Sequence, residues 1–550
     1  MRSAALALLA EAPGHKDGLQ ALYDLLSQEE KWEAASAVID RLARIHLNDP
    51  VARMIAAQHF LARGDMHRAQ FHARILVRLA PEAAISHMIM GQAFLASGNG
   101  KAAEHHFRVA LSLPIPRGPA VQRSSIEAQL AVALRDQGRI GEARALFEKL
   151  AESATPDVLL AWAKLEESDR KFDAAAVLLD QAEAIAPSQH VLVARATLHR
   201  RKSEHEQALA LLDSETGEQA DGALLAKGQI LDSMGRYDEA FQAFTEFKRQ
   251  ISKRSGHAYL GKAAAKLTND LRDFFTAGRS QLLPRAGLRA EHPQPIFIVG
   301  FPRSGTTLVE QTLSVHPQVA AGDELPIIHQ LADRAQNLLG SLFRYPQALS
   351  EMWLGDRAGQ IDSLRDLYLN EAVRFGAVDP AKRWFTDKMP LNETHLGLIH
   401  ILFPQSPIVH LVRHPLDVVL SVFSNGLTHG FYCAYALESA ATHYALIADL
   451  IAHYREALPL NYHAVRYEEL VADQEGEVRK LLAFIGEEFD PATLAFHKNA
   501  RFARTASYAQ VTEPIYNRSV HRYRNYLAHL EPAIPILMPA IKRLGYLVEG

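Results

Sequence analysis

The sequence predicts two folds in series: an α-helical solenoid of repeats, then an α/β three-layer domain around a parallel sheet. Three observations carry this reading. A Gly-x-aromatic/apolar-x-x-Ala signal recurs through the first 250 residues at a spacing near 34. From Pro293 onward, short apolar runs alternate with helical stretches, as strands covered on both faces do. One of those runs leads into a turn at 300–307 that fits a phosphate-binding loop.

The repeated signal appears as Gly64…Ala69, Gly98…Ala103, Gly138…Ala143 and Gly235…Ala240. Degenerate copies start at Glu30, Arg170 and Ser203. In chain order the starts lie 34, 34, 40, 32, 33 and 32 residues apart. Pro50, Pro81, Pro114, Pro156 and Pro187 close several units, because proline stops a helix. This period, with a small residue where two helices cross, is the tetratricopeptide signature. Seven such units stack into a solenoid with a concave groove suited to a protein segment. The 40-residue spacing implies an insertion near Leu113-Pro-Ile-Pro-Arg-Gly118. The expected organisation is repeats over 1–250, a connecting helix and linker over 251–292, and a second domain over 293–550.

Composition bounds the function. Hydrophobic residues make up 48% and charged residues 22%, as in a soluble globular protein. A net charge of −4 leaves no cation excess for a polyanion, so nucleic acid is not an expected partner. One cysteine, Cys433, excludes internal disulfides. No apolar run reaches the roughly 18 residues of a membrane span. Residues 1–10 carry a short apolar run broken at once by Glu11, which reads as an amphipathic helix and not as a signal peptide.

In the second domain, strands are expected at 296–299, 383–386, 408–412 and 462–465. The turn after the first runs Gly300-Phe-Pro-Arg-Ser-Gly-Thr-Thr307. Arg303, Ser304, Gly305, Thr306 and Thr307 lie between strand and helix, where backbone N–H groups cradle an anion. Thr306 stands where a nucleoside triphosphatase has its lysine, so ordinary triphosphate chemistry is not expected. The cation has moved inside the loop, to Arg303. Arg413 ends a later strand, and Ser421 follows on the next helix; together they can grip a second phosphate. Gly322-Asp-Glu324 supplies a candidate base in Glu324. Lys388 follows the strand at 383–386 and can stabilise a leaving oxyanion. No clustered His/Cys set suggests a metal.

These motifs resemble the sulfotransferases, nearest to the tyrosylprotein sulfotransferases, over residues 294–545. The shared stretch runs Pro302-Arg-Ser-Gly-Thr-Thr-Leu308, then His316-Pro317, then Gly322-Asp-Glu324. The resemblance implies 3′-phosphoadenosine 5′-phosphosulfate (PAPS) as sulfuryl donor, 3′-phosphoadenosine 5′-phosphate (PAP) as product, and no metal. It implies Glu324 as general base, Arg303 and Lys388 as charge stabilisers, and Arg413 with Ser421 on the 3′-phosphate. It further implies Tyr467 near that phosphate, Ser507 near the transition state and Arg522 over the donor. The family's basic residues after the glutamate, which grip acidic peptides, are replaced here by Leu325-Pro-Ile-Ile-His-Gln330. The resemblance therefore carries over the donor chemistry but not a tyrosyl-peptide acceptor, and a protein tyrosine, a small molecule and a glycan stay open. The union of repeats and transferase resembles a group of bacterial proteins, and a cytoplasmic location is expected, where PAPS is made. The alternatives are a tetratricopeptide interaction scaffold with a catalytically weak nucleotide-binding domain, and a kinase-like phosphate-loop enzyme.

Overall fold

Each copy of the repeated signal becomes a helix, a tight turn and a second helix. A computed structural model describes residues 2–549 except 116–121, 215–220, 354, 356, 428–430 and 499–512. Its helix pairs include Pro50–Ala62 with Met66–Leu79, Ala84–Ala96 with Gly100–Ser112, and Pro156–Ser168 with Phe172–Ile185. Gly64, Gly98, Gly138 and Gly235 sit in the turns at φ of 74°, 78°, 77° and 76°, a region that costs glycine little. Glu30, Arg170 and Ser203 take the same place in the degenerate copies at 55°, 61° and 64°. The turn therefore survives where the glycine does not. Five residues on, Ala35, Ala69, Ala103, Ala143, Ala175, Ala208 and Ala240 are each 0% exposed, so the small residue lies at the helix crossing throughout. Asp49, Asp65 and Asn99 cap the helices that follow them by accepting from backbone N–H groups. Residues 113–122 separate two of the pairs, against 80–83 in the preceding connection, at the place where the longer spacing predicts an insertion.

Backbone packing groups the chain into two compact units. One comprises Met1–Ile230 with Gln250–His257; the other comprises Leu231–Arg249, Ala258–Leu427 and Tyr432–Gly550. The first is the helical repeat region, and the second holds the sheet. No helix among the described residues is long and apolar enough to cross a membrane.

The sheet of the second unit has five strands: β1 (Gln294–Val299), β2 (Val319–Ala320), β3 (Trp384–Asp387), β4 (Ile408–Val412) and β5 (Tyr462–Arg466). Their order is β2-β3-β1-β4-β5, and every pairing is parallel. Four strands fall where the apolar runs predict them. The fifth, β2, is two residues long and too short to leave a pattern. Both faces of the sheet are covered. Ile296 and Ile298 pack with Val309, Leu313, Val478 and Leu482. Phe297, on the opposite face, meets the rings of Tyr368 and Phe403 at 5.9 and 5.6 Å. From β1 the chain moves toward the β2 and β3 side, then returns across β1 to β4. The direction reverses between β1 and β4, and ligands of open α/β sheets bind beyond the strand ends at such a point.

Candidate active site

Two loops leave the sheet at that reversal. The first follows β1, where Val299 pairs with His410. Gly300 and Gly305 have φ of 144° and 112°, and Arg303 lies in the left-handed region at 77°. A Cβ on Gly300 would stand 2.7 Å from the Leu411 carbonyl oxygen, and one on Gly305 would stand 2.9 Å from the Tyr467 ring. The loop thus lies flat against β4 on one side and Tyr467 on the other. It runs into the helix Thr306–Ser314, whose first turn, like that of any helix, leaves N–H groups without intrahelical partners.

The second loop follows β4 and carries Arg413. Its Nη1 donates to the Arg303 carbonyl at 3.1 Å, and another of its nitrogens donates to the Ser519 carbonyl. The guanidinium lies 4.7 Å from the centre of the Tyr467 ring. Arg303 Nε donates to Ser421 Oγ at 3.1 Å. Arg303, Arg413, Ser421 and Tyr467, widely spaced in sequence, thereby converge. Burial, and then the neighbouring charge of Arg413, pull the Arg303 pKa down to about 10. Ser304 Oγ and Arg413 Nε are buried without a hydrogen-bond partner among the described residues. Donors of this kind are costly when unsatisfied, which suits a site whose ligand brings the acceptors.

A second group forms at the end of β3. Lys388 is 1% exposed, and its Nζ donates to Glu324 Oε1 at 2.7 Å, while the Glu324 side chain is 38% exposed. The carboxylate faces open space and the ammonium stands behind it. Burial works to lower the Lys388 pKa, but Glu324, Glu310 and Asp323 outweigh it and hold the pKa above the ordinary lysine value. Gly322 lets the glutamate's turn approach: a Cβ there would lie 1.9 Å from the Thr386 carbonyl oxygen. Asp387, next to the lysine, accepts from Tyr368 Oη at 2.7 Å, and burial pushes its pKa up to about 7.

Arg522 stands near enough to Arg303 for its charge to help lower that residue's pKa, and it has a counterion of its own. Its guanidinium pairs with Asp232 at 2.8 Å and reaches Ser424 Oγ, one helical turn beyond Ser421, at 3.5 Å. Burial acts to lower its pKa, and the charges and hydrogen bonds of Asp232 and Tyr526 together raise it above the ordinary value. Ser507 lies outside the described residues. Sequence reasoning also missed two buried carboxylates. Asp417 accepts from the backbone N–H groups of His521 and Tyr523, at 2.8 Å each, and so holds the segment whose Ser519 carbonyl meets Arg413. Glu310 accepts from Asp323 N at 3.0 Å and Thr386 Oγ1 at 2.8 Å. A charged residue amid the apolar positions of a helix that follows a binding loop was the available signal for each.

Comparison with known proteins agrees with this architecture. Residues 295–491 match the model of the Sulfotransferase family, and residues 56–120 match that of the Tetratricopeptide repeat. The chain therefore carries a sulfotransferase-family domain together with tetratricopeptide repeats. An uncharacterized protein of Aquifex aeolicus is 28% identical over 58% of this chain and 41% of its own length. Nodulation protein NoeE of Sinorhizobium fredii is 27% identical over 43% of this chain and 61% of its own. Protein-tyrosine sulfotransferase 1 of Danio rerio is 25% identical over 46% and 72%. The chain thus spans less than two thirds of the first two of these relatives. Among solved structures, the sulfotransferase domain of the Synechococcus PCC 7002 olefin synthase aligns over 48% of this chain and 99% of its own, at 22% identity and a TM-score of 0.33.

Proposed function

We propose that this protein is a PAPS-dependent sulfotransferase that acts on an acceptor hydroxyl, a protein tyrosine being one candidate beside a small molecule or glycan. The observation that carries the reading is the meeting of Arg303 and Arg413, from the ends of neighbouring strands, around Ser421 and Tyr467. A donor with two separate phosphate groups needs two cationic grips, and a triphosphate needs a lysine that this loop lacks. The residues fit PAPS on that count. Arg303, Ser304, Gly305, Thr306 and Thr307 would hold its 5′ end, and Arg413, Ser421 and Tyr467 its 3′-phosphate. The buried Ser304 Oγ and Arg413 Nε would gain acceptors on binding.

Sulfuryl transfer then has a defined balance. Glu324 takes the acceptor's proton as the new S–O bond forms, and the bond from sulfur to the bridging oxygen breaks to release PAP. Arg303 and Lys388 oppose the charge that builds on the sulfonate and on the departing phosphate. Ser507, by family resemblance, and Arg522, if freed from Asp232, complete the expected set. The named protein-tyrosine sulfotransferases among the relatives support a tyrosine acceptor, and the repeats offer a surface for a protein partner or acceptor segment.

The test is incubation of the protein with sulfur-labelled PAPS and cell extract, with Glu324→Ala in parallel. General-base removal should lower transfer by about 100-fold or more. Equal labelling by both proteins would refute Glu324 as base. Tighter binding of ADP than of PAP would refute the donor.

A further inference from the structure

We infer that Glu310 is a positioning residue that sets both Glu324 and Lys388, an inference that rests on the sulfotransferase reading above. Glu310 is 1% exposed on the helix Thr306–Ser314, one turn after the phosphate loop. Its Oε1 accepts two hydrogen bonds, from Asp323 N at 3.0 Å and from Thr386 Oγ1 at 2.8 Å. Thr386 Oγ1 in turn accepts from Gly322 N at 3.0 Å, and Lys388 N donates to the Asp323 carbonyl at 2.9 Å.

The result is a closed set of hydrogen bonds among a helix, a turn and a strand end. Glu324 is one residue beyond Asp323, and Lys388 two beyond Thr386. The turn cannot retain this shape unaided. Asp323 sits at φ 62°, a conformation unfavourable for a side-chain-bearing residue, and Gly322 presses on the Thr386 carbonyl. A charged acceptor on the Asp323 N–H is the kind of bond that holds such a turn. The buried carboxylate also helps to keep Lys388 charged. Because the same helix begins in the phosphate loop, donor grip and base are referenced to one rigid element. Misplacement of a reacting group by about 1 Å costs on the order of 100-fold in rate, so a residue that touches neither donor nor acceptor can control turnover.

Two variants and two measurements test this. Glu310→Gln keeps an acceptor oxygen of the same reach and removes the charge; Glu310→Ala removes both. By hydrogen-exchange mass spectrometry on the protein alone, deuterium uptake in residues 321–325 should rise at least about 10-fold in Glu310→Ala and by less than half of that in Glu310→Gln. With labelled PAPS and cell extract as acceptor pool, PAP release should fall about 100-fold in Glu310→Ala and about 10-fold in Glu310→Gln, with PAP affinity within about threefold of the parent. A loss of PAP affinity equal to the loss of turnover would mark Glu310 as a general structural residue and overturn the proposal. Unchanged exchange in both variants would also overturn it. Should Glu310→Ala fail to fold, Thr386→Val opens the same set from its other side and must reproduce the exchange signature. If Glu310 variants turn over normally while Glu324→Ala is inactive, the positioning role fails and the base stands. If Glu324→Ala is as active as the parent, the underlying reading fails instead.

Discussion

Glycine does opposite work at the repeat turns and at the turn that bears Glu324. In the repeats, Gly64 and Gly98 have nothing within 4 Å of where a Cβ would stand and are needed only for their positive φ. In the sheet-containing unit, Gly322 has no positive φ and is needed for space, since a Cβ would fall 1.9 Å from the Thr386 carbonyl oxygen. A conformational need is local and is met once per repeat, even by Glu30, Arg170 and Ser203. A steric need is shared among distant segments and has one solution. The repeat turns are therefore tolerant, copy by copy, and the turn that bears Glu324 is not.

The sharpest way to break this comparison is Gly322→Ala. The turn that bears Glu324 must move away from β3, so transfer should fall by about 100-fold or more and stability by about 1–3 kcal/mol. PAP release and denaturant unfolding check the two parts. Retention of activity would mean that the close approach is dispensable. Next, Arg413→Ala removes a cation that spans the Arg303 carbonyl, the Ser519 carbonyl and the Tyr467 ring. Hydrogen bonds to charged groups are worth about 1.5–3 kcal/mol, so PAP affinity measured by calorimetry should weaken about 10- to 100-fold.

Asp387 sharpens the comparison through pH. Its folded pKa, about 7, lies above the unfolded value near 3.8. The folded state therefore holds the extra proton, and this group's contribution to stability is complete below about pH 4 and lost as pH rises to 7. Asp387→Asn should remove that slope. The difference in stability between variant and parent should grow from about pH 4 to 7 and level off above, by up to a few kcal/mol. Buried histidines such as His410, whose pKa falls to about 4, act in the opposite direction, but they are common to both proteins and cancel in the difference. The smallest effects belong to the repeats. Gly98→Ala should cost about 1 kcal/mol, and Arg170→Gly should gain no more than about 0.5 kcal/mol, by thermal unfolding. A Gly98→Ala cost as large as that of Gly322→Ala would erase the distinction.

The same contrast decides what could be read from the sequence. A repeat states its rule seven times, so even copies without glycine were legible from the register of their alanines. The strands β1, β3 and β4 were legible because burial on both faces leaves mostly apolar runs; β5 was legible too, although only Val465 of it is buried, and β2 was not because two residues hold no pattern. Arg303, Lys388, Arg413 and Ser421 could be nominated because each sits beside a strand end or a loop with a chemical reason to bind an anion. Glu310 and Asp417 offered only the weaker signal of a charge among apolar helix positions. Each earns its place by accepting backbone N–H groups from segments 13 or about 100 residues away, and sequence spacing does not encode such a meeting. Arg522 was nominated as a donor ligand, and its pairing with Asp232 depends on a residue 290 positions earlier.

That pairing has a consequence for how the protein can change over evolutionary time. Residues 231–249 keep the rhythm of the seventh repeat yet pack within the sheet-containing unit. Asp232 holds Arg522 and Tyr526, Phe241 stacks on Phe423 and His529, and the buried Lys248 ammonium donates to the Val422 and Asn425 carbonyls at the end of the helix that carries Ser421. Duplication or loss of earlier copies would lengthen or shorten the solenoid and leave those contacts intact. Loss of the last copy would strip an arginine of its counterion and a helix of its cap. The last copy is thus inherited with the sheet-containing unit.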